Sequence, residues 1–373
     1  MRSILALTLL VTAFGAAPAQ AGSGGTTLPI EQAPYIAWLG GRCTGTLISP
    51  TRILTAAHCL DGQDIADARV LVGIDGNTLK SGARKLAVPV RGYSVHPKYK
   101  LSFPFAHKSP QNAIAVNDVG LILLAKPVTT IAPVRLAGSG DGALEAAGGA
   151  ASILGYGITG LETPGVPTPL QQEALTLISS ADCGTSYPNA ISATMLCTAD
   201  RVHQAAPFTM ACPGDSGGPV IAQTPGGPVQ LGVTSWGAEV KDVGCGQAPL
   251  PDVAMRVSSF AAFINQPKPV IAPHAAGHGH IRIVGLGRVG HTVTCKAPKF
   301  TGAPLKLSYE WSVGTNSGGI RVIPGAHGAK LKITDKIYKS AGPPATRYAF
   351  CSASARNAGG SVGTGLAAVR LRK

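Results

Sequence analysis

After its first 21 residues the chain lacks any apolar run near the roughly 18 to 20 residues that a membrane-spanning helix needs. This absence argues against a helical anchor in the mature chain. The first residues differ, because Arg2 precedes an apolar run over residues 4–14, and Ala19 and Ala21 form a small-residue cleavage site. This order predicts a signal peptide at residues 1–21 and a mature chain that begins at Gly22 and is exported, to the periplasm or outside the cell.

The pattern Cys-x-x-Cys, which is common in zinc and redox sites, does not occur. Eight cysteines are present, and an even number in an exported chain predicts disulfides rather than a metal cluster. Spacing alone does not determine how they pair. His274, His278 and His280 have the spacing H-x-x-x-H-x-H, which is open to zinc or copper. Histidines in a Pro- and Gly-rich tether are more often solvated, so we expect a linker at 268–280 and no metal or cofactor.

Acidic residues are scarce in the last part of the chain. Residues 281–373 contain 15 Lys and Arg but only Glu310 and Asp335, a balance of +13. Residues 22–267 contain 15 Lys and Arg against 16 Asp and Glu, a balance of −1, so the net charge of +14 belongs almost entirely to one module. The chain also exceeds the roughly 150 residues of one ordinary domain. We therefore expect a large domain at 22–267 and a basic domain at 281–373, joined by the linker.

Short apolar runs separated by Gly and Pro dominate the large domain and predict β-strands. They lie at residues 35–39, 45–48, 52–55, 68–72, 87–90, 119–124, 151–154, 173–178, 219–222 and 231–236. Many short strands with such turns indicate an all-β barrel or sandwich.

Ser216 lies between small residues in the segment CPGDSGGP at residues 212–219. Its hydroxyl would be exposed and the neighbouring backbone N–H groups free to face a ligand, as a nucleophile loop requires. An ordinary Gly-rich turn has a similar composition, so the interpretation depends on a base and an acid elsewhere. His58 in TAAHC at residues 55–59 and Asp118, a lone acid before the apolar run 119–124, provide both.

These motifs, with SWG at residues 235–237, resemble the trypsin/chymotrypsin-like serine proteases over residues 22–267. The resemblance implies two six-stranded antiparallel β-barrels with the site in the cleft between them, and a closing helix at residues 258–264. It also implies a secreted serine endopeptidase that acts on proteins or peptides, and we expect a monomer.

The resemblance assigns a role to each site residue. Ser216 would be the nucleophile, His58 would accept its proton, and Asp118 would orient the imidazole. The backbone N–H groups of Gly214 and Ser216 would form the oxyanion hole. The resemblance further implies three disulfides and leaves two cysteines for each other, which gives the pairs Cys43 with Cys59, Cys183 with Cys197, Cys212 with Cys245, and Cys295 with Cys351.

The substrate pocket departs from the family pattern. The resemblance places Ser235, Trp236 and Gly237 along it. Met210 stands six residues before the nucleophile, where trypsin-like members carry an aspartate, and Asp252 stands where glycine is usual. If Asp252 faces the pocket, it would select Arg or Lys. Alternatively, Met210 fills the floor, Asp252 turns to solvent, and the pocket prefers large apolar or small side chains.

The N-terminus also departs from the family pattern. Family members carry Ile-Val-Gly-Gly at a cleaved N-terminus, and the new ammonium pairs with the acid before the nucleophile, here Asp215. This chain has Gly-Ser-Gly-Gly in that register, beginning at Gly22. We expect signal cleavage after Ala21 to produce the activating ammonium of Gly22 directly, with less apolar packing than a branched pair would give.

The C-terminal module shows its own alternation of apolar and polar residues. Cys295, Trp311 and Cys351 have immunoglobulin-like spacing, and the segment resembles small Ig-like modules appended to secreted bacterial proteins. Lysines alternate with an apolar residue at Lys330-Leu331-Lys332, which predicts a basic face on a sheet. Such a face would bind an anionic cell-envelope polymer, and the alternative is a generally solvated basic surface.

Two other functions stay open on the sequence alone. The first is a binding protein on a protease scaffold that has lost activity, and the second is an esterase with the same three residues. The intact Ser216, His58 and Asp118 argue against the first.

Overall fold

The computed structural model describes residues 25–40, 42–65, 68–74, 87–102, 113–158, 169–237, 245–246, 248–276 and 280–373. The predicted signal peptide and Gly22 lie outside these residues. Within the described ranges, no helix is both long enough and apolar enough to cross a membrane.

Short strands account for most of the regular structure before residue 257. They are β1 (Thr26–Thr27), β2 (Ile36–Trp38), β3 (Thr44–Ser49), β4 (Arg52–Thr55), β5 (Arg69–Val72), β6 (Val88–Val95), β7 (Lys100–Ser102), β8 (Ile114–Val116), β9 (Gly120–Leu124), β10 (Arg135–Leu136), β11 (Ala150–Gly155), β12 (Gln171–Ile178), β13 (Met195–Ala199), β14 (Pro219–Thr224), β15 (Gly227–Gly237) and β16 (Asp252–Arg256).

The first barrel closes in the antiparallel order β2, β3, β4, β9, β6, β5. Side chains alternate between its inside and outside, so Leu47, Ile53 and Ile122 are buried together at the centre. β4 pairs with β9, with Thr55 opposite Gly120. The residues that follow β4 and those that precede β9 therefore meet at one rim of the barrel.

The second barrel closes in the order β12, β11, β14, β15, β16, β13, and β13 pairs back with β12. Ile153, Leu177 and Leu231 lie in its core. β1 extends the sheet at β12, β10 pairs in parallel with β15, and β7 pairs with β8 outside both barrels. The prediction of two six-stranded antiparallel barrels is confirmed.

Helices in the two-barrel region are short. The helix Ser180–Ser186 begins after Ser179, whose hydroxyl accepts a hydrogen bond from the Asp182 N–H at 3.0 Å. A tight 3-10 turn, Val257–Phe260, leads into the helix Ala261–Ile264, which occupies the predicted closing-helix segment. Further 3-10 turns are Ile30–Gln32, Ala57–Cys59 and Gly142–Glu145.

The C-terminal module contains two sheets that share one core. Its strands are β17 (Arg282–Val284), β18 (Thr292–Lys296), β19 (Lys306–Thr315), β20 (Gly318–Val322), β21 (Lys330–Lys332), β22 (Arg347–Asn357), β23 (Gly360–Gly363) and β24 (Ala367–Arg370). One sheet has the order β17, β18, β21, and the other has the order β20, β19, β22, with β23 and β24 both paired to β22. Trp311 is fully buried between them, beside Val293, Ile333 and Ala349. A helix, Asp335–Ser340, and a 3-10 turn, Pro344–Thr346, precede β22.

Four disulfides are formed, and they join the expected pairs: three that the family resemblance implies and one between the two remaining cysteines. The pairs are Cys43 with Cys59, Cys183 with Cys197, Cys212 with Cys245, and Cys295 with Cys351. The last pair links β18 of one C-terminal sheet to β22 of the other.

The stretch between the barrels and the C-terminal module is not uniformly solvated. Ala272 is buried in the core of the first barrel, and its N–H donates to the Tyr93 carbonyl at 2.8 Å. This part of the predicted linker is therefore packed against the first barrel. His274 contacts the Thr301 hydroxyl at 2.7 Å, and His278 lies outside the described residues.

Candidate active site

His58 and Asp118 are brought together at the rim where β4 ends and β9 begins. His58 lies in the turn Ala57–Cys59, which the disulfide from Cys59 to Cys43 fastens to the strand beside it. The His58 backbone N–H donates to Asp118 Oδ1 at 2.8 Å, and His58 Nδ1 lies 2.7 Å from Asp118 Oδ2. One carboxylate therefore fixes both the backbone and the ring of the histidine.

Asp118 is fully buried and depends on unusual backbone at the residue before it. Asn117 adopts the left-handed region at φ 51°, which Asn tolerates better than most residues. The Asn117 side chain donates to the Lys98 carbonyl at 3.0 Å, which holds this turn. The resulting geometry aims the carboxylate inward toward His58.

Ser235 completes the environment of the buried acid. Its hydroxyl donates to Asp118 Oδ2 at 2.5 Å. Ser235 lines the cavity, in keeping with its predicted place along the substrate pocket, but its hydrogen bond to Asp118 was not predicted. No signal in the SWG motif distinguishes a hydroxyl that faces substrate from one that faces Asp118.

The pair stabilises the charged forms of both groups, the Asp118 carboxylate and the His58 imidazolium. Burial acts to lower the pKa of His58, but the charge of Asp118 and its hydrogen bond outweigh burial, so the pKa lies above its ordinary value. Burial acts to raise the pKa of Asp118, whereas the charge of His58 and the hydrogen bonds from His58 and Ser235 hold it below its ordinary value. The Asp118 carboxylate accepts a hydrogen bond from the Nδ1–H of His58. The neutral imidazole therefore carries its proton at Nδ1 and has its lone pair at Nε2.

The loop around Ser216 needs glycine at particular positions. Gly214 and Gly217 have φ values of +112° and +81°, which side chains disfavour. A Cβ on Gly217 would lie 2.0 Å from Thr55 Oγ1, and one on Gly218 would lie 2.5 Å from the Leu154 carbonyl. The loop can therefore pack against both barrels only without side chains at these positions.

Hydrogen bonds fix the loop on both sides of Ser216. The Gly217 N–H donates to the Thr234 carbonyl at 2.7 Å, and the Ser216 carbonyl accepts from the Thr44 N–H at 2.8 Å. For the N–H groups of Gly214 and Ser216, no acceptor is found among the residues that the structure describes. These are the two donors predicted to form an oxyanion hole.

A cavity of about 370 Å³ lies beside these residues. Its lining includes His58 and Ser216 together with Met210 and Asp252. Trp236 and Gly237 also line it, so the structure brings the predicted substrate-binding residues together in one pocket.

Asp252 does not turn to solvent. It is 3% exposed, and its Oδ2 accepts from the Ala211 N–H at 3.1 Å. The part of the second alternative in which Asp252 turns to solvent is therefore wrong, and Met210, which is also buried, lines the same cavity. Burial and the nearby charge of Asp215 raise the pKa of Asp252 well above its ordinary value, against the opposing hydrogen bond from Ala211.

Asp215 is buried directly beneath the Ser216 loop. Its two carboxylate oxygens accept from the Gly157 N–H at 2.7 Å and the Cys212 N–H at 2.8 Å. Burial raises the pKa of Asp215 to about 6, although these two hydrogen bonds act in the opposite direction. Among the described residues Asp215 has no cationic partner, and Gly22, its predicted partner, lies outside them.

Glu173 is a buried acid that the sequence analysis did not single out. It is 1% exposed, and its Oε2 has no hydrogen-bond partner within the described part of the chain. Burial and the charges of Asp215 and Asp252 raise its pKa well above the ordinary value. The alternation on β12 could have found it, since Glu173 shares its side of the strand with Leu175 and Leu177, which are buried.

Among the residues that the structure describes, one group of side chains has the composition of a metal site. Cys43, His58 and Cys59 lie within 4.8 Å of one another, but the two cysteines form a disulfide and are not thiolates. This group is therefore a poor candidate for a metal centre.

Comparison with known proteins agrees with this geometry. The family model described as Trypsin matches residues 23–264, more than half of the chain. A trypsin of Saccharopolyspora erythraea is 33% identical over 218 residues, which is 58% of this chain and 83% of that protein. Chymotrypsin-like elastase family member 1 of Macaca fascicularis is 33% identical over 229 residues, 60% of this chain and 77% of that protein. Trypsin beta of Drosophila erecta is 29% identical over 251 residues, which is 65% of this chain and 86% of that protein.

The chain therefore belongs to the trypsin family of serine proteases. Its two-barrel region is that of a serine endopeptidase.

Proposed function

We propose that this protein is a secreted serine endopeptidase in which Ser216, His58 and Asp118 form the catalytic triad. The observation that carries the proposal is the buried Asp118, which accepts hydrogen bonds from the backbone and ring of His58 and from Ser235. A carboxylate so placed holds the imidazole with its free lone pair at Nε2, where it can accept a proton.

The reaction follows in two stages. Ser216 Oγ attacks the scissile carbonyl carbon while His58 Nε2 takes the hydroxyl proton, and the resulting oxyanion accepts hydrogen bonds from the Gly214 and Ser216 N–H groups. His58 then gives the proton to the departing amine, which leaves an ester on Ser216. Water attacks this acyl-enzyme with His58 again as base, which releases the acid and restores Ser216.

Hydrolysis of casein by the purified protein tests this assignment. Wild-type protein should cleave casein, and His58→Ala should lose most of that activity, by roughly 10⁴-fold or more in kcat. A Lys126→Ala control, altered at an exposed residue that does not line the cavity, should retain it. Casein cleavage that survives in His58→Ala would contradict the proposal.

Asp252 is proposed as the residue that selects the side chain on the acyl side of the cleaved bond. Its carboxylate is buried in the cavity wall with one hydrogen bond from Ala211, and a cationic Arg or Lys side chain would offset the cost of ionising it there. Asp252→Ala should then reduce cleavage after Arg and Lys far more than cleavage after Phe or Leu. Equal reductions across these peptide substrates would assign Asp252 a structural role only.

We also propose that the buried carboxylate of Asp215 pairs with a cation, the ammonium group of the mature N-terminus. Asp215 is buried. Gly25, the first residue that the structure describes, lies close to Glu173 of β12, and the charge of Asp215 acts on Glu173. Signal cleavage after Ala21 would provide the Gly22 ammonium as the cation for Asp215. Mass analysis of active protein should show a start at Gly22, and a different start would end this hypothesis.

The C-terminal module is proposed to be an immunoglobulin-like domain that binds an anionic cell-envelope polymer. The disulfide between its two sheets and the buried Trp311 support the first part. For the second part, the exposed face of the sheet β17, β18, β21 carries Arg282, Lys296, Lys330 and Lys332.

The arrangement of these four residues, the basic face, suits a linear polyanion. Arg282 lies directly across from Lys296, and Lys330 and Lys332 follow on the next strand, opposite Thr294 and Thr292. Within the described chain none of the four cations has an acidic partner. Lipoteichoic acid and heparin are suitable probes, with neutral dextran as the comparison.

The full-length protein should bind the anionic probes with an affinity that falls steeply between about 50 and 200 mM salt. Lys330→Glu combined with Lys332→Glu should abolish this binding, whereas Lys336→Glu combined with Lys339→Glu, on the helix Asp335–Ser340, should weaken it less. Binding that is absent at low salt, or equal in both double variants, would leave the basic face as a solvated surface.

A further inference from the structure

A hairpin of the C-terminal module, formed by the end of β22, the turn after it and β23, docks against the first barrel. Asn357 Nδ2 donates to the Ile271 carbonyl at 2.8 Å, and the Gly359 carbonyl accepts from the Val95 N–H at 2.8 Å. Gly360 fits closely on the barrel, since a Cβ there would lie 3.1 Å from the Tyr93 ring and 3.2 Å from Val95.

The same hairpin contacts the segment that carries His58. Asp61 lies three residues after His58, and its N–H donates to the Ala57 carbonyl at 2.9 Å, so it belongs to the same turn. Asp61 Oδ1 accepts from both the N–H and the hydroxyl of Ser361, at 2.8 and 2.7 Å. Asp61 Oδ2 accepts from Arg356 at 2.9 Å.

Backbone hydrogen bonds extend this contact by one residue. The Gly62 N–H donates to the Ser361 carbonyl at 2.8 Å, and the Gly62 carbonyl accepts from the Gly363 N–H at 3.0 Å. The Tyr93 hydroxyl also donates to the Ser361 carbonyl. The hairpin therefore pairs with the turn as a short strand would, as well as through side chains.

The strand under the hairpin is linked to Asp118. Tyr93 and Val95 belong to β6, and β6 pairs with β9 up to Val95 opposite Gly120, two residues after Asp118. The hairpin thus contacts the turn that carries His58 and the strand β6, which is paired with the strand that follows Asp118. Met210 and Asp252 are not among the described hydrogen-bond partners of the hairpin.

We propose that the hairpin of residues 356–363 holds the His58 turn against β6, and that Asp61 is a positioning residue through which the C-terminal module sets the alignment of His58 with Asp118. This inference rests on the proposed catalytic roles of these two residues. Under this proposal the C-terminal module contributes to catalysis, in addition to presenting the basic face.

The test uses the full-length protein with Arg356→Ala and Ser361→Ala combined, since both changes lie in the module and neither touches the catalytic residues. The matched control is Lys306→Ala combined with Ser308→Ala on the neighbouring strand β19, which likewise removes one cation and one hydroxyl. Active sites are counted by titration with a fluorophosphonate, so that a loss of folded protein does not pass for a loss of rate.

In the hairpin variant, kcat per titrated site should fall by about 10-fold, since a displacement of catalytic groups by about 1 Å can cost up to about 10²-fold. KM for a short peptide should stay close to the wild-type value, and Arg356→Lys should recover much of the rate lost in Arg356→Ala. Amide hydrogen exchange should accelerate in the peptide that contains Asp61 and Gly62, and not in the control.

A kcat per titrated site equal to that of the control would overturn this inference and leave the endopeptidase assignment intact. If wild-type protein neither cleaves peptides nor reacts with the fluorophosphonate, the proposed function itself fails. Should the hairpin variant yield too little folded protein, Asp61→Asn provides the same comparison, because it retains one acceptor oxygen but loses the charge that Arg356 pairs with.

Discussion

Replacing Glu173 by Gln should make the protein more stable at neutral pH. Glu173 is 1% exposed, its Oε2 lacks a partner within the described residues, and Asp215 and Asp252 are the charges that act on it. Gln has nearly the same shape but never ionises. The substitution therefore removes the cost of protonating this carboxylate on folding, or of burying its charge, without removing side-chain volume.

The direction and the size of this difference in the free energy of unfolding follow from proton linkage. Burial and the two neighbouring acids raise the pKa of Glu173 in the folded state well above its ordinary value of 4.5. The folded protein therefore keeps a proton that the unfolded chain releases, so this stabilisation is complete below about pH 4.5 and is lost as pH rises through the raised pKa. Within that window the wild-type free energy of unfolding should fall more steeply than that of Glu173→Gln, by up to about 1.4 kcal/mol for each pH unit.

Urea unfolding at several pH values between about 4 and 8 measures this difference, with tryptophan fluorescence as the signal. Both proteins should carry Ser216→Ala so that autolysis does not interfere. Glu31→Gln, on an exposed residue, is the matched control and should follow the wild-type curve. Parallel pH curves for Glu173→Gln and wild type would show that Glu173 is ionised or solvated in the folded protein, and would refute the reasoning.

Three further predictions concern the active site. Ser235→Ala should lower kcat by about 10-fold in peptide hydrolysis because a hydrogen bond to a charged group is worth about 1.5 to 3 kcal/mol, and an unchanged kcat would show that the 2.5 Å contact with Asp118 is not used. The pKa of His58 is raised, and only its neutral form accepts a proton, so kcat/KM should increase with pH with a midpoint above 6.5. A midpoint below 6.5 would contradict the pairing with Asp118. Gly217→Ala should abolish titratable active sites because its Cβ would lie 2.0 Å from Thr55 Oγ1 at φ +81°, whereas Gly226→Ala, with nothing nearer than 3.7 Å, should retain them.

Much of the two-barrel region could be predicted from short motifs and alternation. The predicted strand at 173–178 begins two residues late, since β12 is Gln171–Ile178, and the run at 219–222 is the first part of β14, Pro219–Thr224. Such ends depend on hydrogen bonds to partner strands that the local sequence does not record. The predicted closing helix at 258–264 likewise begins as a 3-10 turn, Val257–Phe260, before the helix Ala261–Ile264.

What the sequence could not provide are contacts between distant residues. The hydroxyl of Ser235 reaches Asp118 across 117 residues, and Asp61 meets Ser361 across 300. Neither Asp61 nor Ser361 belongs to a catalytic motif, so nothing local marks them. The burial of Glu173, by contrast, has a local signal. Its alternation with Leu175 and Leu177 indicates an inward side chain, whereas its charge alone favours an exposed one.

The site of covalent attack provides the most direct test of the central claim. Purified wild-type protein should be incubated with a serine-directed fluorophosphonate, and the modified residue identified by peptide mass analysis. One adduct per molecule should form on Ser216, with loss of peptide hydrolysis in proportion, and Ser216→Ala protein should not react. Modification of a different residue with loss of activity, or continued hydrolysis after Ser216 is fully modified, would contradict the assignment of Ser216 as the nucleophile.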